Sequence, residues 1–170
     1  ATLLSPSKQL TPNSYPEKWV GVGQGNTYVL YRTYNTKAMA QGSVGSCVGC
    51  AGAKCLEMMT GKKFSAEWLY GSSRKCFDKT IGAGSNCAWL AHSMMEIGGV
   101  QSGHYPILGF NLSMYDPALA YSWERGPPES LEWVAARSRT SGYVKITTWE
   151  QLRDSIANGH PVIVGSSVGF

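Results

Sequence analysis

A cysteine placed just ahead of a helix, with glycines and a glutamine leading into it, has the parts of an acyl-transfer site. Residues 41–47 read Gln-Gly-Ser-Val-Gly-Ser-Cys, and the small and apolar residues from Cys47 to Thr60 predict a helix that Gly61 terminates. Cys47 then stands at a helix N-terminus, where unpaired backbone N–H groups and the helix dipole favour a thiolate. A thiolate is the nucleophile that acyl transfer needs. Gly42 and Gly45 let the backbone turn tightly and leave an N–H open beside the attacked carbonyl. The Gln41 amide reaches toward the same place, which gives an oxyanion hole of one side-chain and one backbone donor. The plain alternative is a buried structural thiol at the head of a packed helix.

The remaining chemistry-bearing residues are less specific. Cys47-Val48-Gly49-Cys50 has the C-x-x-C spacing of redox and metal sites. A thioredoxin-like motif follows a strand, whereas a glycine-rich loop precedes this one. Cys55, Cys76 and Cys87 supply no second C-x-x-C, so neither a Cys₄ zinc site nor any other metal or cofactor is expected. Five cysteines leave at least one thiol outside intramolecular disulfides. His92 falls inside a helix, His104 in a long loop and His160 at a helix end, and all three read as structural or surface residues. Asn111-Leu112-Ser113 is a glycosylation sequon, meaningful only in a secretory compartment. Gly21 to Gly25 lacks the Lys and Ser/Thr of a phosphate-binding loop.

Several elements must position the Cys47 segment. Residues 1–26 read as an extended arm followed by a glycine-rich turn, and Thr27 to Tyr34 as a short strand. Beyond the Cys47 helix, Ser65 caps a short helix to about Tyr70, and residues 71–86 carry no periodicity. Asn86 caps a helix from Cys87 to about Ile97, with Leu90, Met94 and Ile97 on one face. Residues 100–128 hold little regular pattern, and 129–137 suit a modest helix with Leu131, Val134 and Ala135 on one side. Tyr143 to Ile146 reads as a short strand, and Thr148 to Gln151 as a capping box for a helix carrying Trp149, Leu152 and Ile156. Pro161 to Val164 reads as a buried strand.

Composition excludes some functions. The 170 residues are 43% apolar, enough for a real core and against disorder. The net charge of +4 comes with only three small basic clusters, Lys62-Lys63, Arg74-Lys75 and Arg137/Arg139. A phosphate-binding surface concentrates its cations on one face, so nucleic acid is not an expected partner. No window approaches the length of a membrane span, so no membrane partner is expected. The N-terminus lacks a signal-peptide pattern, which leaves location open because processing would have removed one.

Gln41 to Cys47 resembles the papain-like cysteine protease family, in which a Gln six residues before the nucleophile supplies the side-chain oxyanion donor. Val44-Gly45-Ser46-Cys47-Val48 keeps the middle of the family's local signature and loses both ends. Lys63 to Tyr70, Gly84-Ser85 with the helix after Asn86, and Thr148 to Val164 resemble later family segments in the same order. The resemblance implies an α+β, papain-like fold, with the arm and turn at 1–26, a mostly helical nucleophile-bearing subdomain at 27–160 and the start of a β-rich subdomain at 161–170. It implies hydrolysis of a peptide bond in a peptide or protein substrate, with Cys47 as nucleophile, Gln41 as oxyanion donor, and Gly45, Ser46, Gly84 and Ser85 along the substrate. The family's histidine and asparagine come later than any position here. A second chain or a continuation after Phe170 is therefore expected to carry His and Asn and to complete the sheet at Pro161–Val164. Two other readings remain: a catalytically silent module with a structural or binding role, and an acyl transferase or amidase of the same thioester chemistry.

Overall fold

A helix buried on every face lies at the centre of the computed structural model, which describes residues 10–24, 38–77 and 83–166. The order of elements is α1 (Cys47–Thr60), α2 (Ala66–Phe77), α3 (Cys87–Glu96), β1 (His104–Tyr105), β2 (Phe110–Asn111), α4 (Pro117–Ser122), α5 (Glu132–Ala135) and α6 (Trp149–Ala157). The antiparallel pair β1–β2 is the one sheet among the described residues, two residues to a strand.

α2 departs from the sequence expectation. It begins where expected, with Ser65 Oγ accepting from the Trp68 N–H at 3.1 Å, but it runs to Phe77 rather than to about Tyr70. A one-sided apolar stripe marks a helix with one face in solvent. Every residue from Ala66 to Cys76 is buried, including Glu67, Arg74 and Lys75, so no such stripe exists to be read. Trp68, Leu69 and Tyr70 are fully enclosed, and the Trp68 indole N–H donates to the Gly98 carbonyl at 2.9 Å.

α1, α3 and α4 all pack on α2. The α1–α2 crossing depends on Gly49, because a Cβ there would run into the Ala66 carbonyl and lie 2.9 Å from Tyr70 Cβ. α1 matches its expected bounds, ending at Gly61 with φ 69°. α3 is capped as expected, with Asn86 Oδ1 accepting from the Trp89 N–H at 2.9 Å. The modest helix at 129–137 is a 3₁₀ turn, Glu129–Leu131, that passes into α5, with Leu131 and Ala135 buried.

The strand expectations fare differently. Thr27 to Tyr34 lies outside the described residues. Tyr143 to Ile146 contributes a single parallel bridge, Asn13 with Val144. Pro161 to Val164 forms no strand, since nothing among the described residues pairs with it. It lies against α1 instead, where the Pro161 carbonyl accepts from the Cys55 thiol at 3.7 Å and Ile163 packs on the core.

The N-terminal arm is packed on α6. Tyr15 donates to the Gln151 carbonyl at 3.0 Å, and Trp19 stacks on His160 with ring centres 4.2 Å apart. α6 is capped by Thr148 Oγ1, which accepts from the Gln151 N–H at 3.2 Å. Asp154 anchors the arm by accepting from the Gly21 N–H at 2.8 Å and the Gly23 N–H at 3.1 Å. Burial pushes the Asp154 carboxyl up, but the Gly21 N–H, Arg153 and the Gly23 N–H together outweigh it and hold it below its ordinary value.

Gly49→Ala should lower stability by about 1–3 kcal/mol through overpacking, read from denaturant unfolding. Asp154 contributes stability that is complete above the unfolded carboxylate value of about 3.9 and is lost as pH falls through the lower folded value. In melts from neutral to acid pH, wild type and Asp154→Asn should therefore differ most above about pH 4 and converge in strong acid.

Candidate active site

The turn into α1 is held from below by polar contacts. The Gln41 amide donates to the Val44 carbonyl at 2.6 Å, and the Ser46 N–H donates to the same oxygen at 2.8 Å. Tyr115 donates to the Gln41 carbonyl at 3.3 Å, which leaves its oxygen to accept from the Ser46 hydroxyl at 2.5 Å. Ser46 is fully buried by this contact. It occupies the N-cap position, yet its side chain caps nothing because Tyr115 holds it. The first intrahelical donor is the Cys50 N–H, to the Ser46 carbonyl at 3.0 Å. The N–H groups of Cys47, Val48 and Gly49 precede it and belong to the unpaired first turn.

Cys47 is exposed as the first residue of α1. Beside it, the 41–47 turn meets the 83–85 segment at a backbone contact. A Cβ on Gly45 would lie 2.8 Å from the Gly84 nitrogen and 3.2 Å from Ala83 Cβ, so only glycine fits. Gly84 takes φ 115°, a conformation open to glycine. Thus Gly45 and Gly84, far apart in sequence, share one wall.

α2 holds that wall in place. The Gly84 N–H donates to the Tyr70 hydroxyl at 3.1 Å, and the Gly84 carbonyl accepts from the Arg74 guanidinium. Tyr70 in turn donates to Glu124 Oε1 at 3.0 Å, and Arg74 Nε donates to the Glu124 carbonyl at 2.6 Å. The Ser85 hydroxyl meets that of Ser73 at 2.7 Å. Of the six sequence-predicted site residues, the structure therefore brings Gln41, Gly45, Ser46 and Cys47 into one turn and sets Gly84 against it. Ser46 is fully enclosed with its hydroxyl on Tyr115, so it presents no surface to a substrate, and the Ser85 hydroxyl is engaged with Ser73, which leaves the Ser85 backbone for such a contact.

Tyr115, Tyr70, Arg74 and Glu124 escaped the sequence reading. Each acts across many residues, Tyr115 reaching Ser46 over 69 positions, and no local pattern marks such a pairing.

The thiols differ in setting. Burial raises Cys50 and Cys87, with the Ser46 hydroxyl opposing it at Cys50 and the Glu67 carboxylate adding to it there, and burial alone pushes Cys55 up to about 11. No disulfide joins cysteines among the described residues. His92 is buried between the rings of Phe77 and Tyr143, with Nε2 4.0 Å from Glu96. His104 is exposed on β1, and His160 is stacked on Trp19. Among the described residues no group of three or more His, Cys, Asp or Glu is placed to hold a metal ion, and no helix is long and apolar enough to cross a membrane. An apolar groove of about 310 Å³ runs along α1 between Ala51, Cys55, Met58 and the 161–164 segment, beginning one helical turn from Cys47.

Iodoacetamide should label Cys47 well ahead of Cys55 at neutral pH. Alkylation of Cys55 should rise as pH climbs through about 11, where its thiolate forms. Mass spectrometry of partly alkylated protein reads both, and equal labelling at neutral pH would contradict the contrast in exposure.

No family model matches this sequence, and comparison with curated proteins and with solved structures likewise finds no match.

Proposed function

We propose that the chain is the nucleophile-bearing part of a papain-like thiol peptidase, cleaving peptide bonds through a thioester on Cys47. The observation that carries this reading is the exposed Cys47 at the head of a 14-residue helix, directly behind a glycine turn set against Gly84. In this reading the Cys47 sulfur attacks the carbonyl carbon and the C=O electrons move to oxygen. The Cys47 N–H and Gln41 then hold the oxyanion. One Gln41 amide N–H fixes the side chain on Val44, and a primary amide has a second to give. Collapse of the tetrahedral species expels the amine and leaves the thioester for water to hydrolyse. His92 and His160 are held in ring contacts and His104 stands on β1, so this reading assigns the base to a histidine on a second chain or on further residues.

The same histidine placement favours a second reading, a catalytically silent module of this fold with a binding role. An activated ester separates the two at the nucleophile, because its leaving group departs without a proton from the base. With a peptidyl nitrophenyl ester, the acyl group should appear on Cys47, and Gln41→Ala should slow acylation by roughly 10²-fold. Acyl groups spread evenly over Cys47, Cys50 and Cys87, or an indifferent Gln41→Ala, would overturn the peptidase reading.

A further inference from the structure

The C-x-x-C spacing has a structural setting that the acyl-transfer reading leaves unused. α1 begins at Cys47, so Cys47 and Cys50 occupy its first turn, three residues apart on one face. Their settings are unequal. Cys47 is exposed, whereas Cys50 is half-buried, with its sulfur 4.0 Å from the Ser46 hydroxyl at the N-terminal end of the helix. Cβ atoms three apart on a helix are about 5–6 Å apart, and a disulfide wants about 3.5–4.5 Å. The adjustment falls to the exposed Cys47 end, because the N–H groups of Cys47, Val48 and Gly49 anchor no intrahelical bond whereas Gly49 itself is held against α2.

We propose that Cys47 and Cys50 form a redox-active dithiol, which low-molecular-weight disulfides of the glutathione class close reversibly into an intrahelical disulfide. In the first step the Cys47 thiolate attacks one sulfur of RSSR. A Cys47–S–S–R bond forms, the RS–SR bond breaks, and RS⁻ leaves to take a proton from water. In the second step Cys50 gives its proton to solvent and attacks the Cys47 sulfur, expelling the second RS⁻. The protein loses two electrons and two protons, and RSSR becomes two RSH. Burial keeps Cys50 protonated before that step, so the exposed thiol reacts first and the buried one resolves. The other thiols are poorer partners. Cys55 donates to the Pro161 carbonyl, and Cys87, at the head of α3, lies against the backbone of Gly165. The consequence for activity rests on the acyl-transfer reading, since a Cys47 held in a disulfide cannot attack a carbonyl; the disulfide itself does not rest on it.

The test is a titration of the full chain with reduced and oxidised glutathione at set ratios, followed by alkylation and trypsin. Lys37 and Lys54 bound a tryptic fragment, 38–54, that contains Cys47 and Cys50 and no other cysteine. At oxidising ratios this fragment should appear unalkylated and lighter by two hydrogens than the dithiol, and dithiothreitol should restore it. Cys50→Ser should stop at a glutathione adduct on Cys47, and Cys87→Ser should behave as wild type. A wild-type chain that halts at the Cys47 adduct, links 38–54 to a fragment bearing Cys55 or Cys87, or stays reduced at every ratio would overturn the proposal. The activated ester tests the reduced protein separately, so acylation without disulfide closure refutes the dithiol alone, and closure without acylation refutes the peptidase reading alone. Where both hold, acylation should fall to background in the oxidised protein and return with dithiothreitol.

Discussion

A helix with no face in solvent must find a partner inside the protein for every polar group it carries, and α2 organises the molecule by meeting that demand. Glu67, Arg74 and Lys75 are all enclosed. Unpaired, any of them would carry a desolvation cost that a domain of ordinary stability could not absorb. Their partners are therefore structural positions. Glu67 accepts from the Ser65 hydroxyl at 2.7 Å and from the Asp116 N–H at 2.7 Å, which ties the start of α2 to the start of α4. Arg74 binds the carbonyls of Gly84 and Glu124, and Lys75 meets Glu132 at 2.6 Å, at the first residue of α5. Segments that lack regular structure of their own are thereby fixed against one helix.

The candidate site inherits its shape from this arrangement. α1 reaches α2 only because Gly49 lets the two backbones close, and that sets the height of Cys47 above the core. The 83–85 segment reaches Gly45 because Tyr70 and Arg74 hold Gly84 from the same α2 surface. One helix thus places both walls beside the thiol. Ser46 shows the local cost of the arrangement: turned inward to Tyr115, it leaves the N-terminus of α1 without a side-chain cap. An uncapped first turn is less stable by about 1 kcal/mol than a capped one. Its open N–H groups are also what an oxyanion or a thiolate would use.

Legibility in the sequence tracks how local the determining physics is. The bounds of α1, the Asn86 cap of α3 and the Thr148 cap of α6 depend on residues close together in the chain, and the sequence reading finds them all. The Gln41–Cys47 segment is legible for the same reason. The second half of α2 is invisible because full burial erases periodicity, and the Tyr115–Ser46 and Tyr70–Gly84 pairings because they join distant positions. At Pro161 to Val164 composition misleads: β-branched residues suit a pleated, half-buried surface, and a strand also needs a neighbour to bond with. Lying on α1, the segment buries part of its apolar surface without one.

Burial also ranks the five cysteines, and the ranking constrains any chemistry at this end of the molecule. Cys76 sits within the packing, and Cys50, Cys55 and Cys87 are half-covered along α1 and at the head of α3. Desolvation disfavours the thiolate most where cover is deepest. Only Cys47 combines exposure with a helix N-terminus, an anchored glutamine and a glycine wall. A nucleophile that attacks a carbonyl and one that attacks a disulfide need the same things: access for the electrophile, and a thiolate that forms without deep desolvation. The two chemistries diverge after the first attack. An acyl group calls for donors at the oxyanion and a base for the leaving amine, whereas a mixed disulfide calls for a second thiol three residues along the helix. The first turn of α1 carries open N–H groups and the second thiol together, so under the two proposals the electrophile that arrives would decide between the two chemistries at Cys47.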